Sequence, residues 1–149
     1  MTRAAAVETR WRCRLISLLA LVGIGVSGYL TWAHLANQAV ACGQSPDCDI
    51  VQQSIYSEVA GVPIALFGLL AYLALTGLAM AYGRLPEVMN GYVPLALFGI
   101  SLAGVLYSAY LTYLELFVIR AVCRWCVASA ALMKLVLVLS ALELRASEI

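Results

Sequence analysis

The stretch Val122-Cys123-Arg124-Trp125-Cys126-Val127 opens the last of four long apolar blocks in this sequence. Two cysteines three positions apart lie on one side of a helix, close enough to form a disulfide or to work as a dithiol. Unpaired backbone amides at the start of a helix favour a thiolate, and the arginine between the cysteines adds positive charge. The pattern predicts that one cysteine of the pair is activated; the alternative is two small apolar residues packed in a helix.

The composition predicts a protein dissolved in lipid. Of 149 residues, 64% are hydrophobic and only 11% are charged, too few to give a water-facing surface to an ordinary core. Each apolar block has the roughly 20 residues that a helix needs to cross a hydrocarbon layer. We predict an all-α integral membrane protein, a four-helix transmembrane bundle in one domain (1–149), with helices at about 15–36, 62–82, 92–118 and 122–144.

The distribution of positive charge predicts the orientation in the membrane. Two arginines, Arg120 and Arg124, flank the spans on one side, and six lie on the other: Arg3, Arg10, Arg12, Arg14, Arg84 and Arg145. Cytoplasmic flanks carry the excess of positive charge, so we expect both termini in the cytoplasm of a multi-pass protein of the plasma (inner) membrane. The first apolar run is too long for a typical signal peptide and is expected to be retained. A net charge of +1, with no basic patch, argues against a nucleic-acid partner.

A second cysteine pair lies in the polar segment 37–61, on the outward side of the predicted bundle. Turn-forming residues separate Cys42 from Cys48, so a tight bend can bring the two together. Val51, Ile55 and Val59 then recur at helical spacing, which predicts a short amphipathic helix that covers the bundle as a lid.

Two dithiols on one oxidising side of a membrane indicate a relay, because thiol–disulfide exchange passes through a mixed disulfide. A dithiol at the membrane also needs an electron acceptor that travels in lipid, and a quinone is the obvious candidate. Cys13, at the opposite end of the first span, is expected to have no role. Four thiolates on zinc remain an alternative, although such sites usually lie in soluble domains, and no metal site is predicted. A c-type haem is excluded because Val127, not histidine, follows the second cysteine.

Several of these motifs, in this order, resemble bacterial homologues of vitamin K epoxide reductase. They are the Cys-X5-Cys loop, Cys48-Asp49-Ile50-Val51 leading to Ser54, the phrase Gly61-Val62-Pro63-Ile64-Ala65-Leu66-Phe67-Gly68, and the final Cys123-Arg124-Trp125-Cys126. The resemblance covers nearly everything from about Leu15 onward. DsbB-type quinone oxidases differ from this chain, because in them the intramembrane pair precedes the loop pair.

The resemblance implies roles for individual residues. Cys123 and Cys126 would form the active-site pair, with Cys126 facing the quinone and Cys123 exchanging with the loop. Cys42 and Cys48 would form the shuttle, the first meeting the partner protein and the second resolving towards Cys123. Ser54 would lie beside the quinone ring, with a helix-surface serine as the alternative. Apart from the resemblance, three apolar residues could line a quinone site, although ordinary core packing is the stronger expectation for each: Phe67, Trp125 and Tyr113.

The function implied is that of a membrane thiol–disulfide oxidoreductase. It would oxidise a thioredoxin-fold (DsbA-like) extracytoplasmic protein, pass the electrons to menaquinone or ubiquinone, and support disulfide formation in exported proteins. The sequence stops at Ile149 without a thioredoxin-like domain, so the partner is expected to be a separate protein. Ala130 and Ile64 stand where the animal enzymes carry a tyrosine and an asparagine, which favours quinone over epoxide as substrate. Vitamin K epoxide reduction remains an alternative, as does a non-catalytic scaffold with structural disulfides.

Ionisable residues inside apolar spans are costly to bury and are candidates for function by default. For Glu115 and Lys134 we expect structural roles, an ion pair with Arg120 or Arg124 for the first and snorkelling of the side chain for the second. His34 is expected to be a solvated interfacial residue, with proton relay as the alternative. Five glycines in the first and third spans are expected to allow close helix packing: Gly23, Gly25, Gly28, Gly99 and Gly104.

Overall fold

The structure is a computed structural model that describes residues 3–38, 50–51 and 53–148. Its four long helices are α1 (Arg3–Leu35), α2 (Ile64–Ala81), α3 (Glu87–Leu114) and α4 (Arg124–Glu148). All four are long and apolar enough to cross a membrane, and large apolar side chains such as Leu18, Leu70 and Val138 are exposed on their outer faces. The predicted four-helix membrane bundle is confirmed.

The helices form a ring in which each packs against two neighbours. The first helix packs on α2 and α4, and α3 packs on the same two helices from the other side. One apolar cluster fills one half of the bundle, around Ile16, Tyr72, Leu97 and Val136. A second cluster at the other end joins the last turns of α1 to Val51 and Cys123. The carboxyl end of α1 and the amino end of α4 therefore meet at one end of the molecule.

Polar residues extend the start of α1 and the end of α4 beyond the predicted bounds. The first helix begins at Arg3 and not near residue 15, and α4 continues to Glu148. Arg12 occupies one of these extra turns, where it pairs with Glu8 at 2.7 Å and approaches the buried Glu143 of α4 at 3.5 Å. Apolar periodicity marks only the part of a helix that lies in lipid or core, so it underestimates the length of both helices.

The segment before α2 is less helical than the spacing of its apolar residues predicts. Ile50, Val51 and Gln53 are helical, but a 3₁₀ turn follows at Ile55–Ser57, with Ile55 84% exposed. The chain then forms two short antiparallel strands, β1 (Glu58–Val59) and β2 (Val62–Pro63), so a helix carrying Val51, Ile55 and Val59 on one face is wrong. Ala60 and Gly61 between the strands have φ values of 54° and 81°, as a tight hairpin turn requires. The hairpin leads directly into α2.

Two of the five span glycines permit close contact between helices. A Cβ on Gly23 would overlap the ring of Tyr72, and a Cβ on Gly104 would lie 2.9 Å from the side chain of Met133. At Gly25, Gly28 and Gly99 a Cβ would meet nothing within 4 Å, so the packing role predicted for these three is wrong. Spacing in the sequence cannot tell which face of a helix meets a neighbour.

Candidate functional site

A cavity of about 250 Å³ lies inside the end of the bundle where α1 ends and α4 begins. Side chains from all four helices and from the 54–57 segment line it. Much of the wall is apolar, with Ile64, Phe67 and Leu111 among its residues, and the hydroxyl groups of serine, threonine and tyrosine residues interrupt it. Apolar walls with a small number of fixed polar groups are typical of sites for small aromatic ligands.

Cys126 contributes its side chain to this cavity, whereas Cys123 does not line it. Cys123 is fully buried in the second apolar cluster, together with Leu30, Ala33 and Val51. No disulfide joins Cys123 and Cys126 in this structure. The two sulfur atoms of one dithiol thus face different surroundings, one the cavity and the other the segment that follows the loop.

The start of α4 stabilises negative charge on Cys123. This residue stands immediately before the first helical residue, Arg124. The thiol of Cys126 and the backbone N–H groups of Cys126 and Trp125 donate hydrogen bonds to its sulfur and lower the pKa of Cys123, against the opposing effects of burial and of the Glu115 carboxylate. The predicted thiolate at this helix N-terminus has its physical basis in those three donors.

Glu115 belongs to this site, although the sequence pattern did not place it there. Its side chain is only 3% exposed, it lines the cavity, and its carboxylate accepts hydrogen bonds from the backbone N–H of Cys123 and the thiol of Cys126. Within the described part of the chain the ion pairs are those of Arg12 and His34, so the expected pairing of Glu115 with Arg120 or Arg124 is wrong. A lone acid in an apolar span was the available signal.

The main chain around Glu115 has an unusual form. A π-helical turn, Glu115–Ile119, continues α3 and ends at Arg120 in the left-handed conformation, with φ of 57°. The Glu115 carbonyl oxygen accepts hydrogen bonds from the N–H groups of Arg120 and Ala121. Single π-helical turns occur often at functional sites. Here the turn ends α3 and places Glu115 beside the cysteine pair of α4.

The other predicted quinone-site residues occupy different positions. Ser54 and Phe67 line the same cavity as Cys126, and the hydroxyl of Ser54 donates to the carbonyl oxygen of Val51 at 2.7 Å. Trp125 does not line the cavity but packs against Tyr29, with ring centroids 5.1 Å apart. Cys126, Ser54 and Phe67 therefore come together, whereas Tyr113 is exposed and does not line the cavity. The indole of Trp125 is directed to another neighbour because adjacent helical positions point about 100° apart.

A second polar group lies in the cavity wall. The Tyr72 hydroxyl is 2.8 Å from the carbonyl oxygen and 2.9 Å from the side-chain oxygen of Ser129. Tyr72, Ser129 and Ser27 all line the cavity. Because these hydroxyls come from three different helices, no pattern in the linear sequence groups them.

The remaining predicted residues lie elsewhere or outside the described residues. Cys42 and Cys48, the predicted shuttle pair, are outside the described ranges. His34 pairs with Glu58 at 2.7 Å, and does not line the cavity. Lys134 is exposed on the outer face of α4, and Cys13 is buried at the other end of the bundle, near Glu143.

One comparison with known proteins bears on this arrangement. The model of the vitamin K epoxide reductase family matches residues 14–141, which is most of the chain. The matched region includes the second and third spans, most of the first and fourth, the loop cysteines, and the Cys123–Cys126 pair with its cavity. A cysteine pair beside an apolar cavity within a helical membrane bundle agrees with that match. The chain is a multi-pass membrane oxidoreductase that belongs to the vitamin K epoxide reductase family.

Proposed function

We propose that this protein oxidises a thioredoxin-fold partner outside the cytoplasm and passes the electrons to a membrane quinone, so that it supports disulfide formation in exported proteins. The observation that carries this proposal is the position of Cys126, whose side chain shares an apolar intramembrane cavity with Ser54 and Phe67. A scaffold with structural disulfides does not require a cavity of this kind beside one sulfur atom of a cysteine pair.

The properties of the cavity support a quinone as its occupant. A quinone is a flat apolar ring with carbonyl oxygens, and it supplies a two-electron, two-proton acceptor. Phe67 and Ile64 would contact the ring, while the hydroxyl groups of Ser54, Tyr72 and Ser129 are the candidates to contact an oxygen. Ser54 donates to the carbonyl oxygen of Val51 in this arrangement, so its hydroxyl would have to turn away from Val51 to donate to a quinone oxygen. Either menaquinone or ubiquinone has the required ring.

The two cysteines have different tasks in this proposal. Cys126 faces the cavity and delivers the electrons, while Cys123, packed beside Val51, exchanges with the loop pair. Because exchange requires a thiolate, the hydrogen bonds that lower the pKa of Cys123 favour its reaction. Cys48 would resolve onto Cys123 and Cys42 would meet the partner.

The test is quinone reduction by the purified protein, supplied with a reduced thioredoxin-fold protein and either menaquinone or ubiquinone. We expect one quinol for each disulfide formed in the partner, and loss of quinol formation to the background rate in Cys126→Ala. Cys13→Ala is the matched control and should keep the full rate. Quinol formation at the normal rate by Cys126→Ala would refute the role of Cys126.

Two further measurements separate the alternatives. Offering vitamin K epoxide beside the quinone distinguishes epoxide reduction, for which we expect no product. Alkylation mapping of Cys42, Cys48, Cys123 and Cys126 before and after addition of quinone distinguishes a scaffold, whose disulfides would stay fixed. Unchanged alkylation on addition of quinone would count against the proposed enzyme.

A further inference from the structure

Glu115 has a contact pattern that ordinary packing does not require. The carboxylate is buried, lines the cavity, and accepts one hydrogen bond from the Cys123 N–H and one from the Cys126 thiol. Cys126 in turn donates towards the sulfur of Cys123. The Cys126 thiol proton therefore lies near two acceptors, the sulfur of Cys123 and the carboxylate of Glu115.

From this geometry we infer that Glu115 takes up the proton that Cys126 loses when the Cys123–Cys126 disulfide forms. A buried carboxylate is costly unless it is hydrogen-bonded or paired with a cation. In the reduced protein the two donors offset part of that cost. Once Cys126 enters a disulfide its S–H donor is gone, Glu115 keeps only the Cys123 N–H, and the neutral acid becomes the favoured form.

The groups around Glu115 leave few other proton acceptors. Cys123 and Cys126 face it from the start of α4, and three tyrosines, Tyr56, Tyr72 and Tyr107, line the same cavity. Arg120 and Arg124 are exposed and form no ion pair with Glu115 in the described structure. The charge of the carboxylate therefore depends mainly on the state of the cysteine pair.

The step balances in atoms and electrons. Counted from two thiols, disulfide formation breaks two S–H bonds, forms one S–S bond, and releases two electrons and two protons. The electrons go to quinone, a point that rests on the proposed function. The Cys126 proton forms an O–H bond on Glu115, and the Cys123 proton goes to water. Glu115 then holds a proton in the cavity, where reduction of a quinone consumes protons.

The first test needs no quinone. A chain with Cys13, Cys42 and Cys48 replaced by serine is reduced, then oxidised with ferricyanide, and the oxidised-minus-reduced infrared spectrum is recorded. We expect a protonated carboxyl band to appear on oxidation, to be absent in Glu115→Gln, and to remain in the control Glu143→Gln, which changes a carboxyl buried at the opposite end of α4 from Cys123 and Cys126. Proton release per disulfide should be about one lower in the chain that keeps Glu115 than in the Glu115→Gln variant.

No band with Glu115 present, or a band that persists in Glu115→Gln, would overturn the inference. If the glutamine variant does not fold, Glu115→Asp must shift the band in frequency without removing it, and an unshifted band would overturn the inference too.

The second test uses the full chain with all its cysteines and measures quinone reduction. We expect Glu115→Gln to lower the rate by on the order of 10²-fold, as loss of a proton-transferring group does, and Glu115→Asp to restore part of it. An unchanged rate in Glu115→Gln would overturn the catalytic part of the inference. If the unmodified chain reduces no quinone, the proposed function fails, and the infrared result still decides the role of Glu115.

Discussion

At the scale of single residues, the two cysteines of one Cys-X-X-Cys motif are chemically unequal. Cys123 precedes α4 and receives hydrogen bonds from the Cys126 thiol and from two backbone amides, whereas Cys126 itself faces the cavity. This inequality arises from position, because only the residue before the first helical turn can accept from the free amides of that turn.

The first prediction concerns the titration of Cys123. Replacing Cys126 with alanine removes the largest of the contributions that lower its pKa, so the pKa of Cys123 should rise towards its ordinary value and less thiolate should exist near neutral pH. Ultraviolet thiolate absorbance against pH, in a chain with Cys13, Cys42 and Cys48 changed to serine, measures this shift. Cys126→Ser keeps an O–H donor and should titrate at a lower pH than Cys126→Ala. Identical curves for the two variants would contradict the assigned donor.

At the scale of helices, α1 and α2 approach closely where Tyr72 lies against Gly23. Tyr72 is fully buried and is held in place through its hydroxyl by Ser129 of α4. Three helices are thus joined at one ring, directly below the cavity that Tyr72 lines. The absence of a side chain at Gly23 makes this contact possible.

The second prediction is that Gly23→Ala destabilises the bundle. The added methyl group would overlap the Tyr72 ring, which cannot move without losing its hydrogen bonds to Ser129, and overpacking of this kind costs about 1–3 kcal/mol. Gly25→Ala, two residues further along α1, meets nothing within 4 Å and is the matched control. Thermal unfolding in detergent should show a lower midpoint for the first variant alone. Equal midpoints would show that the α1–α2 contact is looser than described.

At the scale of the whole molecule, the ring of helices separates two polar ends. One end holds the cavity, the cysteine pair and the hairpin, and the other holds Arg12 and Glu143, which bring the first and last helices together. The excess of arginines lies at the second end. We propose on this basis that the second end faces the cytoplasm and the cavity end faces outward.

The third prediction tests that orientation. In intact cells, after mild reduction, a membrane-impermeant maleimide should label Cys42 and Cys48. A cysteine introduced at the exposed position Ser147 (Ser147→Cys), near the end of α4, should be labelled only after permeabilisation. Labelling of both sites in intact cells, or of neither loop cysteine, would contradict the proposed topology and remove the extracytoplasmic partner from the mechanism.

The sequence by itself determined the four helices and the existence of a cysteine pair at the start of the last one. Those features depend on composition, on apolar runs of membrane-spanning length and on one local motif, and all of these are properties of neighbouring residues. Ser54 came from the family resemblance and Phe67 from its apolar side chain, and the structure brings both to the cavity with Cys126.

Only the tertiary structure decided which faces of the helices meet. In the folded chain Glu115 lies against the cysteine pair, and Trp125 packs on Tyr29. Of the five glycines, only Gly23 and Gly104 lie where a neighbouring helix leaves no room for a side chain. A hairpin replaces the second half of the predicted amphipathic helix. Each of these outcomes depends on contacts between segments distant in the chain, or on a local irregularity such as the π-helical turn at Glu115–Ile119. A helix in lipid is apolar on nearly all of its faces, so the pattern of apolar residues does not indicate the direction in which a given side chain points.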